Sequence, residues 1–404
     1  MRYTVRMEKR RSRIPRNVIV LSFVALASGF GQDIIAPILP GYLLLLGMSN
    51  AQIGLIDGLL QGATNVFRFV SGWISDRTRK RKEFVFLGYA LSSVARPLLA
   101  VFPTFGGIAA LRIADGIGKG TKDAPRDAIV AEAAESGESG RAFGFARMVD
   151  TAGSVLGPLT AFAILAFLMP TLATYRLIFA IAIIPGTVAL GLIWFGVRER
   201  TGTSKESVKP KGRLPLRFWI FTIGMSVAML TRINDSLFLV RTEDLGLAKQ
   251  WIPLLFGGFT LLYAALSYPI GVWSDRVGKL PIIAAGWLVL AIVEFGFSFD
   301  PGLPAVLSLF ACFGLFYALT EGSGRAFIAD MISKENHGLA FSVFYTTTGV
   351  SLIAGGYLLG LVWDRGTPDL AFRIAAAGSV IGALVLFSLS RKRKMSATQG
   401  QAAS

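Results

Sequence analysis

The sequence predicts an all-α membrane protein: twelve membrane-crossing helices in two pseudo-symmetric six-helix bundles. Three observations lead there. The composition is 53% hydrophobic with only 16% charged residues and a mean hydropathy of +0.58, too little charge for a soluble chain of this size. Apolar segments of about 20 residues, the length that crosses a hydrocarbon core, can be marked from end to end. A motif also occurs twice, 199 positions apart: Gly72-Trp73-Ile74-Ser75-Asp76-Arg77 returns as Gly271-Val272-Trp273-Ser274-Asp275-Arg276. Lys80 returns in phase as Lys279, and Arg126 as Arg325. One fixed offset across several motifs points to a duplicated unit.

The predicted spans are 18–46, 52–74, 84–102, 105–124, 142–168 and 174–196, then 218–240, 251–273, 282–299, 304–325, 339–363 and 370–389. They divide the chain into a basic N-terminal segment (1–17), a first bundle (18–196), a polar linker (197–217), a second bundle (218–389) and a short tail (390–404). Pro37 and Pro40 interrupt the first span just beyond Asp33, freeing backbone groups that only a cavity or protein partner can satisfy.

The net charge of +16 would suit nucleic acid, but its placement does not. Basic residues cluster in 2–16, 77–82, 198–217 and 391–394, which an even number of spans puts on one side of a membrane. The positive-inside rule makes that side cytoplasmic, with both termini there. The apolar run from Val18 continues past Ala25-Leu26-Ala27, so an uncleaved first helix is expected rather than a signal peptide. The single cysteine, Cys312, excludes an internal disulfide, and the single histidine, His337, reads as a solvated loop residue. With no His or Cys cluster, no metal site or cofactor is expected. No Gly-x-x-x-x-Gly-Lys-Ser/Thr loop is present, so energy must come from a gradient. No base accompanies the Ser-Asp-Arg turns, which argues against an enzyme.

The paired Gly-x-x-Ser-Asp-Arg loops between spans resemble the loop motif of the major facilitator superfamily, over nearly the whole chain. Thr78 stands where that family usually has glycine, whereas the second copy keeps it as Gly278. The resemblance implies alternating access of a central cavity lined by the first, fourth, seventh and tenth helices. It implies a conformational gate built from Gly72, Asp76, Arg77, Arg126, Asp127, Gly271, Asp275, Arg276, Glu321 and Arg325. The glycines would allow close helix approach. The aspartates would accept from helix N-termini or from arginines of the facing half, and Glu321 and Arg325 would partner the Asp76 or Asp275 loops. Gly153, Gly157 and Pro158 resemble the family's Gly-x-x-x-Gly-Pro hinge at the interface of the halves.

The fourth span, Arg112-Ile113-Ala114-Asp115-Gly116-Ile117-Gly118, resembles the Arg-x-x-Gln-Gly-x-Gly element of proton-linked carriers, with Asp115 in place of glutamine. Arg112, Asp115, Lys119 and Lys122 share one helical face, and such charges are costly in a membrane unless paired or facing water. The offset carries Asp33 onto Arg232, so an acid of one half is expected to face a base of the other. Asp33, Asp115 and Arg112 are the candidate proton-coupling groups. Gln32, Lys119, Arg232, Asn234, Asp235 and Tyr317 are the candidate substrate-cavity residues. Arg147 and Asp150 share a face of the fifth span, and Arg96 and Glu294 read as structural.

The expected activity is proton-coupled export of a small organic compound by a functional monomer. The partners are that substrate, protons and the lipid bilayer, with no nucleic acid. Proton-coupled uptake of an anionic or zwitterionic solute is the alternative, favoured if Arg112 and Arg232 are unpaired; aromatic cavity walls favour a neutral drug. Copper import, suggested by Met225 and Met229 one turn apart, ranks third.

Overall fold

The computed structural model describes residues 14–78, 80–133, 139–198 and 213–402; the side chains of Trp73, Asp76, Ala131, 139–143, Lys334 and 391–402 lie outside the description. The first bundle contains α1 (Arg16–Asp33), α2 (Leu39–Leu45), α3 (Asn50–Thr78), α4 (Arg81–Leu98), α5 (Phe105–Ala133), α6 (Ser139–Leu168), α7 (Leu172–Ile181) and α8 (Ile183–Gly196). The second contains α9 (Leu216–Leu230), α10 (Asp235–Asp244), α11 (Ile252–Val277), α12 (Lys279–Phe297), α13 (Leu303–Met331), α14 (His337–Arg365) and α15 (Pro368–Ala402). These helices make twelve crossings, because α1–α2, α7–α8 and α9–α10 are each one interrupted span.

The duplicated unit is visible in the elements. Moving α4 by the offset of the repeated motif gives 280–297, against Lys279–Phe297 for α12; moving α5 gives 304–332, against Leu303–Met331 for α13. The turns obey it too. Gly47 and Gly246, one offset apart, take φ of +75° and +88°, a region open to glycine at no steric cost.

The first span breaks where its prolines predict, over residues 34–38, between α1 and α2. The seventh was expected to run unbroken over 218–240 and does not. It stops at Leu230 and restarts at Asp235 without a proline. Asn234 explains the restart, since its side-chain oxygen accepts from the Leu237 N–H at 3.1 Å, as an N-cap does. Glu294 of α12 secures the other side of the break, accepting from the Ile233 N–H at 3.1 Å and the Ser379 hydroxyl at 2.6 Å.

Among the described residues, eight helical segments are long and apolar enough to cross a membrane, all between Gly144 and Ser390. The earlier spans are the interrupted first and the polar α3, α4 and α5. Their polarity is internal: Asp57, Arg96, Arg112, Asp115 and Lys122 are all buried. The predicted basic clusters at 2–16, 198–217 and 391–394, and Arg79 of the first motif copy, lie wholly or largely outside the described residues.

Two seams join the halves: α3 against α14, and α6 against α11. Both run between the end that carries the termini, here the terminus end, and the opposite loop end.

Candidate functional site

On the N-terminal side of the central space, α5 carries charge toward α1, α3 and α4. Asp115 is held by two arginines, Arg96 Nε at 3.2 Å and Arg112 Nη1 at 3.6 Å. Arg96 also donates to the Ser28 carbonyl at 3.2 Å. Lys122 donates to the Ser28 hydroxyl at 2.6 Å and lies 4.1 Å from the centre of the Tyr89 ring. The charged face of the fourth span is therefore turned largely into its own bundle, where a buried pair must satisfy itself. Asp33 is engaged separately, by the Gln32 side-chain amide at 3.1 Å, where α1 packs against Gly157 of α6.

On the C-terminal side the same space meets aromatic rings. Arg232 Nη2 binds Asp235 at 2.7 Å and donates to the Tyr317 hydroxyl at 2.8 Å. Tyr317 also hydrogen-bonds Asp235, at 2.7 Å. The Arg232 guanidinium lies 5.4 Å from the ring centres of Phe316 and Tyr317, within cation–π range. From there the rings continue along α11 and α13: Phe259 stacks on Tyr317 at 6.1 Å, Phe256 meets Phe259 at 4.9 Å, and Tyr263 meets Tyr317 at 5.8 Å. Tyr263 faces the other half, because Arg147 of α6 donates to its hydroxyl at 3.1 Å.

The expected Asp33–Arg232 opposition is corrected by these contacts. The break between α9 and α10 leaves Arg232 beside Asp235 and turned to α13, while Asp33 stays with α1 and α6. Asp33, Arg112, Asp115, Arg232 and Asp235 do not form one group. They fall into an Asp33 set, an Arg96–Asp115–Arg112 set and an Arg232–Asp235–Tyr317 set.

The gate residues also find different partners. Asp275 lies 3.9 Å from Lys279 of its own half, because the turn at Gly278, with φ of +104°, starts α12 directly behind it. Lys279 also bonds Asp330, Arg126 bonds the adjacent Asp127 at 3.0 Å, and Glu321 bonds Arg325 at 2.7 Å and the Tyr263 hydroxyl. None of these bonds crosses between the halves. Arg77 and Arg276 are exposed, and the Asp76 side chain lies outside the described residues. Gly72 does approach α5, where an added Cβ would lie 3.3 Å from Ala124, but Gly271 has open space around it. At the terminus end the halves meet instead through Arg147–Tyr263 and through Arg68, which binds Asp123 at 2.7 Å and lies 5.7 Å from the Tyr345 ring centre.

The hinge glycines face inward. A Cβ on Gly153 would lie 2.2 Å from the Leu26 carbonyl, and one on Gly157 would lie 2.7 Å from the Phe30 carbonyl, both in α1 of the same bundle. Only Pro158 reaches the other half, touching Gly257 of α11. Met225 belongs to the buried core and Met229 packs against it, as core-filling methionines do.

Sequence reasoning missed the tightest part of the seam. Gly54 and Gly58 of α3 meet α14 backbone to backbone, and Gly62 meets the Ile353 side chain: a Cβ on Gly54 would lie 2.1 Å from the Gly356 carbonyl and one on Gly58 2.8 Å from Ile353 Cα. At the loop end, the Asn50 and Ala51 N–H groups each donate to the Asp364 carboxylate at 2.9 Å, and the Asn234 amide donates to the Gly54 carbonyl at 2.9 Å. The spacing Gly-x-x-x-Gly-x-x-x-Gly was the available signal. Asp57 sits within it, buried, and was also missed.

The sequence model of the Major Facilitator Superfamily matches residues 21–237 and again residues 218–403. The chain belongs to the Major Facilitator Superfamily. An uncharacterized MFS-type transporter of Methanocaldococcus jannaschii, MJ1317, is 28% identical over 382 residues, covering 92% of this chain and 94% of that one. The multidrug resistance protein MdtH of Salmonella typhi is 23% identical over 366 residues, covering 86% of this chain and 88% of that one. Among solved structures, a mutant form of the nucleoside transporter NupG superposes with a TM-score of 0.78 at 13% identity, covering 92% of this chain and 99% of that one. At that identity the likeness is one of fold. The protein is an integral membrane transporter of this superfamily, in which two six-helix halves enclose a central space.

Proposed function

We propose that this transporter exports a small organic compound in exchange for protons, by alternating access. The observation that supports this reading is the division of the central space. Arg96, Arg112 and Arg232 are each paired with an internal carboxylate, so an anionic solute would have to compete with Asp115 or Asp235 for them. Its C-terminal side offers the clustered rings of Phe256, Phe259, Tyr263 and Tyr317, which suit a flat or apolar compound. The relationship to a multidrug resistance protein agrees with this.

In this reading Asp33 is the principal proton-coupling group, and Asp115 and Arg112 hold the charge balance of the fourth span. Gln32, Lys119, Arg232, Asn234, Asp235 and Tyr317 line the substrate path. Both termini are cytoplasmic in this reading, as the basic clusters favour, and the membrane is a bacterial inner membrane, as the family resemblance implies. Gly72, Asp76, Arg77, Arg126, Asp127, Gly271, Asp275, Arg276, Glu321 and Arg325 form the cytoplasmic layer that rearranges as the halves rock, with the Pro158 region as the pivot.

The test uses energised everted vesicles and a panel of drugs, organic anions and metal ions. Substrate-induced collapse of the pH gradient, abolished in Asp33→Asn while counterflow exchange survives, is the expected result. Loss of both activities would make Asp33 structural. Activity only in right-side-out vesicles would replace export by uptake.

A further inference from the structure

α11 and α13 leave a groove between them toward the loop end of the second half, apart from the ion clusters. Its volume is about 470 Å³ and every side chain that lines it is apolar, a size typical of sites that enclose a small molecule. α11 contributes Trp251, Leu255, Gly258 and Leu262, which fall on one helical stripe; α13 answers with Leu303, Leu307 and Ala311, each about one turn from the next. From Trp251 to Leu262 the stripe runs about 16 Å at 1.5 Å per residue, so the groove is long and narrow.

The gap has a cause in the sequence. Gly258 and Ala311 are small and exposed, and a Cβ on Gly258 would meet nothing within 4 Å. Glycine inside a helix costs stability, and no backbone approaches Gly258 to require it. By the common offset the same two places in the first half hold Leu59 and Arg112. The second half thus has small residues where the first has large ones.

The groove opens outward. Toward the loop end the central space is filled, because residues 37–43 of the first span and 236–242 of α10 are all buried. Trp251, Leu254, Leu303 and Leu307 are nonetheless exposed, on two helices long and apolar enough to cross a membrane. What surrounds them at that depth is lipid hydrocarbon. The inner wall is made by the buried rings of Phe259 and Phe310, and Phe259 stacks on Tyr317 with its centre 6.1 Å away. Trp251 bounds the groove toward α6, where it meets Phe162 at 5.0 Å. Water does not fill an apolar cavity, and an empty one forfeits the dispersion contacts of its walls. A straight hydrocarbon chain matches both the shape and the chemistry.

We propose that this groove binds one acyl chain of a phospholipid from the loop-end leaflet, lying lengthwise between α11 and α13 against Phe259. The chain packs behind the ring cluster of the substrate path, so the lipid becomes part of the wall that Phe259 and Tyr317 present. The site goes beyond the export reading and depends on neither the direction of transport nor the coupling ion.

The test uses the full-length protein, purified in detergent and stripped of lipid. It is titrated with dioleoyl phosphatidylethanolamine while bound species are counted by native mass spectrometry. One phospholipid should bind ahead of the weaker ones that coat the surface. Gly258→Leu puts an isobutyl group into the groove and should weaken that first binding about tenfold, the equivalent of about 1.4 kcal/mol. Gly258→Ala should fall between, and Ala311→Leu should repeat the loss from the opposite wall. Gly191→Leu adds the same bulk at an open position of α8 and should leave the first binding unchanged. Thermal unfolding of each variant without lipid, at or above the wild-type temperature, shows that the fold is intact.

A wild-type protein with no distinct first phospholipid overturns the proposal, as does equal first binding in wild type and both groove variants. Equal losses in Gly191→Leu and Gly258→Leu overturn it too, since the lipid would then be general surface coating. Oleate bound in preference to the phospholipid would make the groove a fatty-acid site instead. The assay needs no substrate or gradient, so a failed export assay in vesicles leaves its result standing, and a failed lipid titration leaves the export reading standing.

Discussion

The two halves descend from one repeat but have filled equivalent positions with opposite chemistry. Asp57, Arg112 and Asp115 of the first half correspond by the common offset to Phe256, Ala311 and Gly314 of the second. Where the first half buries ions against one another, the second has one ring and two small residues, set among the aromatic cluster of α11 and α13. The folds match because burial of an amphipathic face needs only the helical period, and both solutions supply it. What differs is what each half can hold. An ion cluster tolerates no removal of a single member, whereas a ring stack loses packing in increments.

That contrast predicts a graded series of losses. The largest should follow Arg96→Leu, which leaves Asp115 with Arg112 as its remaining ion-pair partner and the Ser28 carbonyl without its donor. About 3–5 kcal/mol of stability should go, read as a fall in thermal unfolding temperature in detergent. Arg96→Leu combined with Asp115→Leu should recover much of it, because an apolar pair needs no counter-charge. A double variant as unstable as the single would break the comparison.

Tyr317→Phe should cost less. The ring and its stack on Phe259 remain, but Arg232 and Asp235 each lose a hydrogen bond, worth about 1–3 kcal/mol in a buried site. The same variant should weaken transport of a polar-headed substrate more than that of a wholly apolar one, measured as a KM ratio. The smallest effect belongs to Arg68→Lys. The charge facing Asp123 survives and only the planar overlap with Tyr345 is lost, about 0.5–1 kcal/mol. A loss as large as that of Arg96→Leu would mean that the Arg68–Tyr345 contact carries the terminus end of the seam.

The fold could be read from the sequence because length, apolar periodicity and a fixed repeat offset all act locally along the chain. Pro37 and Pro40 announced one helix break through a covalent constraint on the backbone. The equivalent break at 231–234 had no such mark, since Asn234 and Glu294 make it by hydrogen bonds that depend on the folded neighbourhood. The site was harder for the same reason. The offset relates Asp33 to Arg232, but equivalent positions in two bundles are not contacts between them. The charges of α5 were legible as a helical face, yet not the direction in which that face turns. Asp57 stood out in no motif, and its burial at the seam appears only when α14 is placed beside α3.

The backbone contact of Gly54 with Gly356 has a consequence in heredity. Every missense change at either codon adds at least a Cβ, and at Gly54 that atom would sit 2.1 Å from a carbonyl oxygen while at Gly356 it would sit 2.4 Å from another. No conservative replacement exists there, so a lineage can alter the charges or rings of this transporter step by step, but it can change that crossing only by moving two helices at once.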